Sequence, residues 1–136
     1  MYNIHATCVS IAKKGVLFLG DSGTGKSDMA LRLIENGKAV LIADDRVNLI
    51  KKQGKIKASC PDNIAGLLEV RGIGLVKYPH NKQTTVKLVV NLTQNPIDRL
   101  PERNFYVFEG IKIPKIYLNP FESSACSKVL AALRLL

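Results

Sequence analysis

Tryptophan is absent and aromatic residues make up only 6% of the 136-residue chain, so the stacking platforms that single-strand nucleic-acid binding depends on are scarce. Cysteine is sparse as well. Cys8, Cys60 and Cys126 lie far apart with no Cys-x-x-Cys pair, which argues against a disulfide framework or a cysteine zinc site and predicts buried, reduced thiols. Long apolar runs are missing: Val16-Leu17-Phe18-Leu19 and Ala39-Val40-Leu41-Ile42-Ala43 fall well short of the ~20 residues a membrane-spanning helix needs. Met1 to Ser10 has no basic region, and Lys13 and Lys14 interrupt any signal-peptide core, so the expected location is the cytoplasm, with no membrane partner. Acidic residues are in the minority, 11 against 20 Lys and Arg, for a net charge of +9. Such an excess attracts any polyanion. With no zinc or aromatic motif beside it, a nucleic-acid role is disfavoured, and the charge reads better as serving phosphate or an acidic partner.

What the chain does contain is globular: 46% hydrophobic and 23% charged residues, with no internal repeat and no linker-like segment. The length suits one domain over residues 1–136, since a second would have no core of its own. Val16 to Leu19 reads as a buried strand running into Gly20-Asp21-Ser22-Gly23. From Lys26 the period changes. Met29, Ala30, Leu33 and Ile34 fall at helical spacing, and Asn36-Gly37 supplies a stop. Ala39 to Ala43 reads as a second buried strand, followed by a hairpin of Val47 to Ile50 and Ile56 to Ala58 about Gly54. Asp62 to Leu67 reads as a short helical turn, and Leu67 to Leu75, taken alone, as a turn. Val86 to Leu92, Phe105 to Phe108 and Ile111 to Ile116 read as strands, and Ser127 to Leu136 as a helix. The order gives an α/β fold with a mixed sheet and flanking helices.

Gly20-Asp21-Ser22-Gly23-Thr24-Gly25-Lys26-Ser27 fits the G-x-x-x-x-G-K-[ST] phosphate-binding loop, between a strand and a helix as that motif requires. Its glycines let backbone N–H groups turn toward phosphate oxygens, and the following helix start adds partial positive charge. Lys26 would reach the β- and γ-phosphates of ATP, and Ser27 offers a hydroxyl to Mg²⁺, a hard ion that takes few protein ligands. Asp44 and Asp45 follow at the carboxyl end of the next strand. One carboxylate can hold the Mg²⁺ water shell while the other takes a proton from an attacking hydroxyl. Which does which is open at this level. The pair comes so soon after the first helix that a small, atypical P-loop kinase fits better than a GTPase.

Together these stretches resemble the bacterial HPr kinase/phosphorylase family, specifically its C-terminal catalytic domain in a short form. The resemblance rests on the Walker loop, on Ile42-Ala43-Asp44-Asp45-Arg46-Val47, on Leu67-Leu68-Glu69-Val70-Arg71-Gly72-Ile73-Gly74-Leu75, and on His5 at the family's spacing before Gly20. Beyond Lys77 it thins to Val86 to Leu92 and Asp98-Arg99-Leu100. It implies that Lys26 contacts phosphate, that Ser27 and Glu69 serve Mg²⁺, and that His5, Asp44, Asp45 and Arg99 act in the chemistry. The implied activity is phosphorylation of a serine of an HPr-like phosphocarrier protein, within a possible hexamer. A small-molecule kinase and a nucleotide-sensing regulatory module are the competing readings. Two departures stand out: the segment from Leu75 to Gln83 is shorter than the family's glycine-containing loop, and Tyr117 to Ser124 lacks the arginines the family uses for phosphate-driven dephosphorylation. Weak phosphorolysis is therefore expected, because fixed guanidinium groups bind phosphate best.

Overall fold

The apolar alternation of the strands sends successive side chains to opposite faces of a sheet, and in this chain both faces are covered. The computed structural model describes residues 1–136. In chain order the elements are β1 (Tyr2–His5), β2 (Thr7–Ile11), β3 (Lys14–Leu19), α1 (Lys26–Glu35), β4 (Val40–Ala43), β5 (Arg46–Lys52) and β6 (Lys55–Ser59). A 3₁₀ turn at Asp62–Ile64 precedes β7 (Leu67–Val70), β8 (Gly74–Lys77), β9 (Gln83–Leu92), β10 (Asn104–Phe108), β11 (Ile111–Leu118) and α2 (Ala125–Leu133). The expected mixed sheet with flanking helices is present.

Long β9 joins two sheet regions. Its first residues pair antiparallel with β6, which continues through β5 to β1. Its later residues pair parallel with β3 on one side and β11 on the other. The change of partner is marked by a bulge: Gly15 faces Val86 but Val16 faces Leu88, leaving Lys87 as the extra residue. Val86 and Val89 therefore pack between the two sheet regions, with Leu17, Ile42, Val47, Leu49 and Ile56. Leu88, Val90 and Leu92 face the opposite way, onto Met29, Ala30 and Leu33 of α1 and Val129 of α2. Gly15 sits at this crossing, where a Cβ would lie 2.5 Å from the Thr85 carbonyl oxygen. Only glycine allows that approach.

Two segments differ from the sequence reading. Tyr2–His5 and Thr7–Ile11 form strands that the pattern did not announce: β2 is buried at every position and shows no alternation, while β1 is exposed at all but Ile4. Leu67 to Leu75 is a β-hairpin rather than a bare turn, β7 pairing antiparallel with β8 around Arg71 to Ile73. The thiols also divide: Cys8 is buried, whereas Cys60 and Cys126 are half-buried. Burial raises the pKa of all three, as expected of inert thiols. No helix is long and apolar enough to cross a membrane.

Candidate functional site

Because β2 is antiparallel to both β3 and β4, β4 runs the same way as β3, and β9 and β11 are parallel to β3. Four strands therefore end at one edge, the position where open α/β sheets bind ligands. The glycine loop leaves β3 there and enters α1 through Gly25, which has φ 98°. No side chain caps α1, so the N–H groups of its first turn are free for an anion. Thr24 closes the loop on itself, its hydroxyl donating to the Asp21 carbonyl at 2.7 Å.

Lys26 is the first residue of α1, at the end of the glycine loop. It is buried, 7% exposed, with Nζ donating to the carbonyl oxygens of Gly20 at 2.7 Å and Asp21 at 3.0 Å. Burial lowers its pKa, and the charges of Asp21, Asp44 and Asp45 oppose that shift. An ammonium held on two neutral carbonyls is poised to exchange them for phosphate oxygens, which balance its charge better.

Asp44 and Asp45 are separated by their surroundings. Asp44 is buried, 5% exposed. Its Oδ1 accepts from the hydroxyls of Ser27 at 2.7 Å and Thr7 at 2.8 Å, and its Oδ2 from the Glu69 backbone N–H at 3.1 Å. Asp45 projects outward with its side chain 71% exposed, and Oδ1 lies 3.1 Å from Nε2 of His5. Its φ of 72° lies in the left-handed region, which Asp tolerates better than most residues. The Ala6 N–H donating to the Asp45 carbonyl at 3.2 Å and the pairing of His5 with Arg46 hold that turn against β1.

The structure thus brings His5, Lys26, Ser27, Asp44, Asp45 and the Glu69 backbone to one edge. Glu69 meets Asp44 through its backbone N–H, its side chain being exposed, and Arg99 sits in the exposed loop between β9 and β10. No cluster of three or more His, Cys, Asp or Glu side chains is present. The oxygen donors here, the Ser27 hydroxyl and the Asp44 carboxylate, fit Mg²⁺, which keeps most of its waters and needs only one or two carboxylates. On the other flank an open cleft of about 840 Å³ runs from Gly20–Thr24 to Asn91–Asn95, Tyr117 and Pro120. Thr7, Arg32 and Tyr117 were not singled out in the sequence. Thr7 reaches Asp44 across 37 residues, a separation no local pattern encodes.

The family model for the HPr serine kinase C-terminal domain matches residues 1–133. Among curated proteins, the HPr kinase/phosphorylase of Lacticaseibacillus casei strain BL23 is 35% identical over 128 residues, 84% of this chain and 40% of that protein. The HPr kinase/phosphorylase of Variovorax paradoxus is 38% identical over 100 residues, 68% of this chain and 31% of that one. The chain thus spans about 40% or less of the length of these relatives. A solved structure, the HPr(Ser) kinase/phosphatase of Coxiella burnetii, superposes with a TM-score of 0.87 at 27% identity, covering 99% of this chain and 95% of that one. With a family model matched along nearly its whole length, on a fold shared with a solved relative, this chain belongs to the HPr serine kinase C-terminal domain family.

Proposed function

We propose that residues 1–136 form one catalytic domain, a cytoplasmic ATP- and Mg²⁺-dependent kinase that phosphorylates a serine of an HPr-like phosphocarrier protein. The observation that carries the reading is the exposed Asp45–His5 pair, at 3.1 Å, at the same strand edge as a phosphate loop whose Ser27 bonds Asp44. Asp45 is the base. Its carboxylate takes the proton of the acceptor serine hydroxyl as that oxygen bonds to the γ-phosphorus, the bond to the bridging β–γ oxygen breaks, and ADP leaves. His5 orients Asp45. A base needs hydrogen-bond reach to its substrate, and of the two carboxylates only Asp45 is open to one.

Lys26 gives up the Gly20 and Asp21 carbonyls for the β- and γ-phosphates, supplying charge where it develops in the transition state. Ser27 and Asp44 would hold Mg²⁺, with Glu69 as the further oxygen ligand that the resemblance implies. Bound there, the ion would supply charge that neutralises the phosphates. Arg99, on the exposed β9–β10 loop, would contact substrate, as the resemblance implies. Any reverse, phosphate-driven reaction is weak, because the β11–α2 loop has no arginine and the nearby Arg32 is engaged, with Nη2 donating to the Pro120 carbonyl and Nε 3.1 Å from Asp28. A homo-oligomer, a hexamer as the resemblance implies, is part of the same reading.

Incubation with labelled ATP, Mg²⁺ and HPr-like proteins should put label on a serine of the carrier. Label found only on free phosphate or on a small molecule would sink the protein-kinase reading in favour of a nucleotide sensor or a small-molecule kinase. Phosphorylated carrier supplied with phosphate and Mg²⁺ should yield pyrophosphate far more slowly than the forward reaction consumes ATP.

A further inference from the structure

At the edge opposite the glycine loop, where the parallel strands begin, the sheet opens into a second concavity. Val86 lies beside Gly15 near the start of β3 and Asn91 beside Leu19 at its end, so about 16 Å of strand separates this edge from the loop. β9 changes partners here: its ladder with β6 ends at Thr85 and its ladder with β11 begins at Val89. Pro114, the residue before that second ladder in β11, has no N–H to carry it further back. Strands β6 and β11 part around Val86 and Lys87, leaving an open groove of about 350 Å³.

Floor and rim differ in chemistry. Ile56, Val86 and Ile113 line the groove and are buried, whereas Lys55, Lys87 and Lys112 line it and are exposed. No acidic side chain faces it. None of the three lysines belongs to an ion pair, and the terminal carboxylate of Leu136, which also lines the groove, pairs with none of them. Two neighbouring lysines add to the excess. Lys57 Nζ donates to the Thr85 hydroxyl at 2.6 Å and Lys51 Nζ to the Glu109 carbonyl oxygen at 3.3 Å, neutral acceptors that leave both charges uncompensated. Positive potential is therefore concentrated over an apolar floor, with no anion of the protein's own to meet it.

We propose that this groove binds a small amphipathic monoanion, an acyl or aryl carboxylate or sulfonate. Its apolar body covers Ile56, Val86 and Ile113 while its head group pairs with Lys55, Lys87 and Lys112. The volume lies in the range of small-molecule pockets. An inorganic anion or a sugar phosphate would satisfy the lysines and leave the apolar floor wet. An uncharged apolar molecule would cover the floor and leave the cations unpaired. Lysine suits the rim because its flexible stem extends the apolar wall while the ammonium swings onto a head group. The groove lies away from the phosphate loop, so the inference does not depend on what that loop binds.

The test uses 8-anilinonaphthalene-1-sulfonate, an aryl body with one anionic group, titrated by fluorescence in the presence of Mg–ATP. The parent should bind the dye saturably, and octanoate should displace it whereas inorganic phosphate at equal ionic strength should not. A Lys87→Glu/Lys112→Glu chain, altered only at exposed positions, should bind the dye about tenfold more weakly with unchanged circular dichroism. The milder Lys87→Gln/Lys112→Gln pair should show a loss in the same direction if charge reversal disturbs the fold. Lys87→Arg/Lys112→Arg should bind as the parent does. So should Lys38→Glu/Lys77→Glu, which makes the same change of net charge on another exposed surface. A parent that binds no dye, parent-like affinity in both the Glu and Gln pairs, an equal loss in the Lys38→Glu/Lys77→Glu chain, or displacement by phosphate as ready as by octanoate would each overturn the site.

Discussion

Asp44 and Asp45 are neighbours in sequence with opposite surroundings. Asp44 is a buried hub whose two oxygens accept from three donors on three separate segments, Thr7, Ser27 and Glu69. Asp45 stands outside on a left-handed residue with one partner, His5. A carboxylate saturated with hydrogen bonds and closed to solvent is suited to holding parts together beside a cation. One that is open, with a single imidazole to orient it, is suited to taking a proton. Two identical side chains thus acquire different chemistry from burial and donor count.

The largest effect expected from this contrast is that of Asp44→Ala. It strands two hydroxyls and a backbone N–H in a buried position, so stability should fall by about 3 kcal/mol and phosphoryl transfer should be lost with it. Thermal unfolding and a kinase assay on the same sample read both. A stable, inactive Asp44→Ala chain would mean that the hub is catalytic only.

Asp45→Asn should show the complementary split. Asparagine is at ease at positive φ, and the residue is exposed, so stability should stay within about 0.5 kcal/mol of the parent. Turnover should drop by roughly 10²–10⁴, the usual contribution of a positioned base, while Mg–ATP binding persists. Near-parental turnover would erase the distinction between the two carboxylates.

The smallest effect concerns pH on the buried side. Cys8, next to Thr7 and paired with Ala43, has its thiol pushed up from the ordinary 9.0 by burial. Above pH 9 the unfolded chain releases a proton that the native state keeps, so stability falls as pH rises, by up to about 1.4 kcal/mol per pH unit from this group. Below pH 9 it contributes no slope. Denaturant titrations of the parent and Cys8→Ala between pH 8 and 10 should differ in that slope, and identical slopes would place Cys8 in contact with water when folded.

Legibility in the sequence varied with the range of the interactions. The strand, glycine loop and helix from Lys14 to Glu35 were readable because turn chemistry and helical periodicity are local, and the β5–β6 hairpin was readable from Gly54. Strand β2 was not, since a strand buried on both faces carries no alternation. The burial of Lys26 was not readable either, because it depends on Gly20 and Asp21 folding back over it. Nor was the bond by which Arg32 joins α1 to the loop after β11 through the Pro120 carbonyl.

By itself, the order of residues determined the family, the phosphate loop and the presence of two carboxylates at the end of a strand, because each is written within a few consecutive positions. The tertiary structure alone decided which carboxylate is buried, that His5 meets Asp45, and that Tyr117 walls a cleft beside the loop. Those facts depend on strand order, on the bulge at Lys87 and on hydrogen bonds between residues as far apart as Thr7 and Asp44. Contacts of that range arise only when distant strands close on one another, and no local propensity specifies their partners.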